Sequence, residues 1–120
     1  MKATPTNPQE NIWLWLGKIL SGMLLLFLLG LHFVVNHLVA PEGLLSYADV
    51  ILYYKNPVIP IIEGLFLITV TGHALVGLRG IILDLNPLPK ALKAIDYTFT
   101  LVGIIAIGYG IWLLWTVASL

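Results

Sequence analysis

Residues 12–39, IWLWLGKILSGMLLLFLLGLHFVVNHLV, decide the class of this molecule: Lys18 is their one full-time charge, and polar side chains are few. A helix needs ~20 apolar residues to cross a ~30 Å hydrocarbon core, and this run exceeds that length. Two more apolar runs follow at 58–85 and 97–117. The reading is an all-α integral membrane protein, a single domain over 1–120 with three transmembrane helices at about 12–39, 58–85 and 97–117. The first run is much longer than the apolar part of a cleaved signal, so it is read as a retained helix.

Composition agrees. Hydrophobic residues make up 59% of the chain and charged residues 10%, and the mean hydropathy is +0.97, outside the range of soluble domains. With no cysteine, disulfides, thiolate catalysis, iron–sulfur ligation and cysteine-based zinc sites are excluded. Six basic residues balance six acidic ones, so there is no polybasic surface for nucleic acid. Partners are to be sought in the membrane or at its faces.

Basic residues give an orientation. Lys2, Lys18, Arg79, Lys90 and Lys93 flank one side of the spans and Lys55 the other. By the positive-inside rule the N-terminus and the 86–94 connection face the cytoplasm and the C-terminus lies outside, as in a prokaryotic cytoplasmic membrane. Trp13, Trp15, Trp112 and Trp115 sit near the run ends with Tyr47, Tyr53, Tyr54 and Tyr97, where interfacial anchors belong. Residues 44–54 form a candidate interfacial helix with Ser46 as its start signal, and residues 4–9, with Pro5 and Pro8, read as an irregular arm.

Three histidines stand out against this background, because an ionisable group at membrane depth is costly and marks a cofactor, proton or ion site. At about 100° per residue, Lys18, Ser21 and Asn36 fall within about 40° of His32, whereas His37 is about 140° away. Around His73, the residues Thr69, Gly77, Gly80 and Asp84 fall within about 40°, and Arg79 is about 120° round. An imidazole that ligates iron through one nitrogen holds its tautomer by donating from the other, and Thr69 one turn earlier is a plausible acceptor. Gly77 and Gly80 would let a flat macrocycle approach the helix. The same residues also suit plain helix packing, with His73 or His32 as polar glue. His37 reads as an end-of-helix residue open to water, Glu63 as snorkelling or capping, and Arg79 with Asp84 as an ion pair at the inner surface. Gly103, Ala106 and Gly110 form a small-residue ridge for packing on the third helix.

Residues 31–40, LHFVVNHLVA, and the stretch from Glu63 through His73 and Gly77 resemble helices one and two of the cytochrome b membrane anchors of succinate dehydrogenase and fumarate reductase, respiratory complex II. The spacing H-x-x-x-G-x-R-x-x-x-x-D, formed by His73, Gly77, Arg79 and Asp84, resembles helix two of the family's small paired anchors, and the layout covers nearly the whole chain. The resemblance implies half of a six-helix, haem-binding anchor bundle of the two-haem, two-anchor type. It implies as partners a second small membrane anchor subunit, an iron–sulfur subunit and a flavoprotein subunit, with lipid and quinone around them. Electrons would pass between succinate or fumarate and a membrane quinone, and this chain would be a non-catalytic subunit of that enzyme.

Carried over residue by residue, His73 is the axial ligand of a proximal haem b and His32 of a distal one, each opposite a histidine of the partner anchor. His37 matches a non-ligand position. Lys18 or Arg79 would pair a haem propionate, and Ser21 and Asp84 would contribute to the quinone site. One departure stands: where many small anchors follow the aspartate with a quinone-bonding tyrosine, this chain has Leu85. Depth agrees with two sites, since His73 lies about 16 Å from Asp84 and His32 about 21 Å from Lys18 at 1.5 Å per residue, which disfavours one haem clamped by both. Two alternatives remain open: a haem-poor structural or quinone-lining anchor, and an unrelated small membrane protein whose histidines pack helices or transfer protons.

Overall fold

So apolar a chain cannot bury its side chains in a molecule of 120 residues, and the fold does not try to. The computed structural model describes residues 11–39, 42 and 45–120. Among them the buried hydrophobic side chains are Leu28 and Leu83, while Leu26, Phe27 and Trp115 are more than two-thirds exposed. Helices arranged this way present their apolar faces to lipid or to another subunit.

Helix α1, Ile12–Phe33, starts at Asn11, whose side-chain oxygen accepts from the Trp13 amide at 3.1 Å and satisfies an otherwise orphaned donor. It runs on into a π-helical segment, Val34–Val39. Asn36 Nδ2 donates to the His32 carbonyl at 2.8 Å, and a side chain that takes the carbonyl four residues back competes with the α-helical ladder. The wider turn falls at that point. The full span, Ile12–Val39, is long enough to cross a membrane.

Helix α2, Tyr47–Tyr54, is short and capped by a reciprocal pair: Ser46 Oγ accepts from the Asp49 amide, and the Asp49 carboxylate accepts from the Ser46 amide at 2.9 Å. The Ser46 hydroxyl, which donates to Asp49 Oδ2 at 2.7 Å, and then the Ser46 amide hold the Asp49 carboxyl below its ordinary value. The expected interfacial helix is therefore present from Tyr47, whereas Leu44 lies outside the described residues, as do Pro41, Lys2 and the arm at 4–9. A tight turn at Asn56, whose Oδ1 accepts from the Val58 amide at 3.1 Å, leads straight into helix α3, Val58–Asp84. Pro60 sits in its first turn, where no backbone donor is needed.

Helix α3 closes at Asn86, which adopts a left-handed φ of 53° suited to asparagine after a helix end. Helix α4, Pro89–Ala118, begins at a proline in the first helical position. The third long helix thus starts eight residues before the expected 97. Hydropathy misses these two turns because Lys90, Lys93 and Asp96 interrupt it, although proline and the alanines around them favour a helix. The 86–94 connection shrinks to a turn.

Helix α3 is central: it packs against α1 on one side and α4 on the other, and α2 rests on the ends of α3 and α4. On α4, a Cβ at Gly103 would lie 2.9 Å from Leu75 Cδ1, and one at Gly110 would run into the Leu67 side chain. The two glycines are notches that receive α3 leucines, and they seat the helices closely.

Candidate functional site

Helix α1 turns one polar stripe toward α3, and two hydrogen bonds cross the interface there. Ser21 Oγ lies 2.9 Å from His73 Nδ1, and His32 Nδ1 lies 3.1 Å from Glu63 Oε1. Ser21 and His32 are 11 positions apart on α1, and Glu63 and His73 are 10 apart on the antiparallel α3, so the two bonds stand about 15–16 Å from each other along the helix axes. The site has two levels. No single iron can be reached by both histidines of this chain.

At the first level a hydroxyl meets the ring. Ser21 Oγ lies 3.1 Å from the Lys18 carbonyl as well as 2.9 Å from His73 Nδ1, so it is able to donate to the carbonyl while accepting from a protonated Nδ1. In the tautomer with the proton on Nδ1, Ser21 accepts it and Nε2 presents its lone pair. The ring lies against α1 at Gly22, where an added Cβ would come 3.2 Å from His73 Cε1. A glycine at that position makes room for the imidazole. Beside it runs a groove of about 410 Å³, lined among others by Gly17, Ser21, Thr69, Gly72 and His73.

At the second level His32 stacks on Phe66, with ring centroids 5.3 Å apart and an interplanar angle of 23°. Phe66 fixes the plane of the ring and Glu63 its rotation. Glu63 is the more enclosed partner, with its side chain 13% exposed against 37% for His32. Nearby at the end of α2, burial pushes the Tyr54 phenol up to about 12, and the charges of Glu63 and Tyr53 add to it. Tyr53 is raised for the same reasons, burial first and Glu63 second.

The structure departs from sequence expectations at several positions. His73 takes its ring partner from Ser21 on another helix rather than from Thr69 one turn earlier. Ser21, read from sequence as a quinone contact, lies 2.9 Å from that ring. Glu63 neither snorkels nor caps; it faces α1 and meets His32. Arg79, expected to pair with Asp84, instead grips Asp96 of α4 in a two-point contact, Nε to Oδ1 at 2.6 Å and Nη2 to Oδ2 at 3.1 Å. Asp84 is about 140° round the helix from Arg79, which points toward α4. Asp84 itself is exposed at the last residue of α3, and Lys18 is half-buried one turn before Ser21. His37 lies exposed in the π-helical segment with its ring 5.1 Å from Phe33.

Glu63, Phe66 and Gly22 were missed as site residues. The signal for Glu63 was present, since an acidic residue inside an apolar run is itself a functional marker. For Phe66 and Gly22 there was none, because an aromatic or a glycine in a membrane helix is ordinary.

These residues fit a haem. Neither His32 nor His73 shows a hydrogen bond through Nε2 among the described residues, which leaves that nitrogen for a ligand. Each ring is oriented through Nδ1 by an acceptor, which is how iron-ligating imidazoles are held. No cluster of three or more histidine or carboxylate side chains occurs among the described residues, whereas an axial haem ligand needs only one imidazole from each side.

Fold and site together define an all-helical protein with three long apolar helices and two oriented histidines. Residues 2–113 match the family model of the succinate dehydrogenase/fumarate reductase transmembrane subunit. The chain is 33% identical over 103 residues to the succinate dehydrogenase hydrophobic membrane anchor subunit of Archaeoglobus fulgidus, covering 86% of this chain and 87% of that one. It is 30% identical over 94 residues to the subunit of the same description from Thermoplasma acidophilum, covering 78% and 76%. No solved structure matches. The chain belongs to the family of transmembrane subunits of succinate dehydrogenase and fumarate reductase.

Proposed function

We propose that this chain is a membrane anchor subunit of a succinate:quinone oxidoreductase, and that it shares haem b and quinone sites with a second small anchor. The two would complete a six-helix bundle that holds an iron–sulfur subunit and a flavoprotein on the cytoplasmic face. The observation that carries this reading is the pair of histidines, each held through Nδ1 and each with Nε2 left for a ligand, at two levels about 15 Å apart. Haem b, when bound, takes up and gives up single electrons. The chain's part is ligation, burial and orientation.

His73, nearer the cytoplasmic end with Lys90 and Lys93, is the ligand of the proximal haem, and His32 that of the distal one. Lys18 and Arg79, whose guanidinium also grips Asp96, are the candidate cations for a propionate. Asp84, exposed at the cytoplasmic end of α3, remains the candidate for the quinone site, and Ser21 becomes a support for His73. Exposed apolar faces on all three spans leave ample surface for the partner anchor.

A reduced-minus-oxidised optical spectrum of the complex, purified through this chain, tests the reading. A b-type band is expected, together with co-purifying flavin and iron–sulfur proteins. His73→Ala and His32→Ala should each remove one haem, and His37→Ala should leave the stoichiometry unchanged. Absence of the band, or loss of haem in the His37 variant with none in the His32 variant, would overturn the assignment.

A further inference from the structure

We propose that Glu63 is a positioning residue for His32, a carboxylate that makes this imidazole a more electron-rich iron ligand than His73. The proposal rests on the reading of His32 as a haem ligand. An Nε2 that ligates iron carries no proton, so the proton is on Nδ1 and Glu63 Oε1, 3.1 Å away, accepts it. A carboxylate in this position draws on the N–H and raises the basicity of the opposite nitrogen. His73 has only a hydroxyl there, which also lies 3.1 Å from the Lys18 carbonyl.

Two features make the contact more than a clip between helices. The Glu63 side chain is 13% exposed, so solvent screens its charge little. Phe66, three residues on along α3, stacks on the His32 ring at 5.3 Å and restrains its plane. A ligand richer in electrons stabilises the oxidised iron over the reduced. The haem on His32 is therefore the harder of the two to reduce for reasons built into this chain.

The test is a redox titration of the purified complex, followed optically. Glu63→Gln keeps the shape and removes the charge; it should favour reduction of the His32-dependent haem at least tenfold, about 59 mV for one electron, and leave the other haem where it was. Glu63→Asp keeps the charge and should shift that haem less. The His32-dependent component is identified as the one that His32→Ala abolishes. If His32→Ala removes a haem while Glu63→Gln and Glu63→Asp leave the potentials unchanged, or move them equally, the role of Glu63 is wrong and the ligand assignment stands. If His32→Ala removes none, the ligand assignment has failed first.

Should the glutamine variant not assemble, the unmodified complex decides through its redox-difference infrared spectrum with 15N-labelled histidine. A histidine ring band shifted as for Nδ1–H bonded to a carboxylate supports the proposal. Ring bands typical only of neutral acceptors overturn it.

Discussion

Ser21 on α1 and His73 on α3 share a 2.9 Å hydrogen bond, and the same hydroxyl lies 3.1 Å from the Lys18 carbonyl. Helix α1 thereby orients a histidine of another helix.

Ser21→Ala should weaken retention of the haem that His73→Ala removes. Loss of such a supporting partner reduces metal-site affinity by roughly 10- to 100-fold. The haem-to-protein ratio after incubation with a haem-scavenging apoprotein measures it, with Ser21→Thr as the control that keeps a hydroxyl. Equal retention in wild type and Ser21→Ala would show that the bond has no supporting role.

The notch at Gly110 should be intolerant. A side chain there meets Leu67, and over-packing of this kind costs about 1–3 kcal/mol, so Gly110→Val should unfold earlier in a detergent denaturation series. A Cβ at Gly108 would meet nothing within 4 Å, and Gly108→Ala should change stability by less than about 0.5 kcal/mol. Leu67→Ala in the Gly110→Val background should recover part of the loss.

The Arg79–Asp96 pair joins α3 to α4 with side chains 19% and 40% exposed. Arg79→Leu alone should cost about 0.2–1 kcal/mol, because the carboxylate it leaves unpaired is 40% exposed and water screens the pair. Arg79→Leu with Asp96→Leu should be closer to wild type than the single variant, since the second change removes the unpaired charge. A double-mutant cycle on denaturation midpoints gives the coupling; additivity of the two changes would exclude it.

Tyr54 gives a pH signature. Its folded value is raised from 10.0 to about 12, chiefly by burial. A raised acid is protonated in the folded state, so its contribution to stability is complete below pH 10 and is lost as the pH climbs toward 12. An absorbance titration should show one phenolate appearing late, and Tyr54→Phe should remove that component. Failure of any late component to disappear would place the burial elsewhere.

The sequence alone determined the spans and the residue types of the site. Apolar runs of membrane length allow no alternative to helices, because the bilayer satisfies no backbone hydrogen bond. Helical periodicity also separated His37 from His32 and put Ser21 and His32 on one face of α1. The start of α4 at Pro89 was hidden, since Lys90, Lys93 and Asp96 make a helical stretch read as a polar loop.

Only the tertiary structure decided who meets whom. Periodicity ranks neighbours within a helix, so it offered Thr69 to His73 and Asp84 to Arg79, both on the same helix as the residue they were to serve. The actual partners, Ser21 and Asp96, come from α1 and α4. Glu63 likewise reaches His32 only because α1 and α3 run antiparallel at a register that brings both bonds into line. Register is a property of two packed surfaces, fixed by where small residues such as Gly22 and Gly103 let the helices approach, and no single helix encodes it.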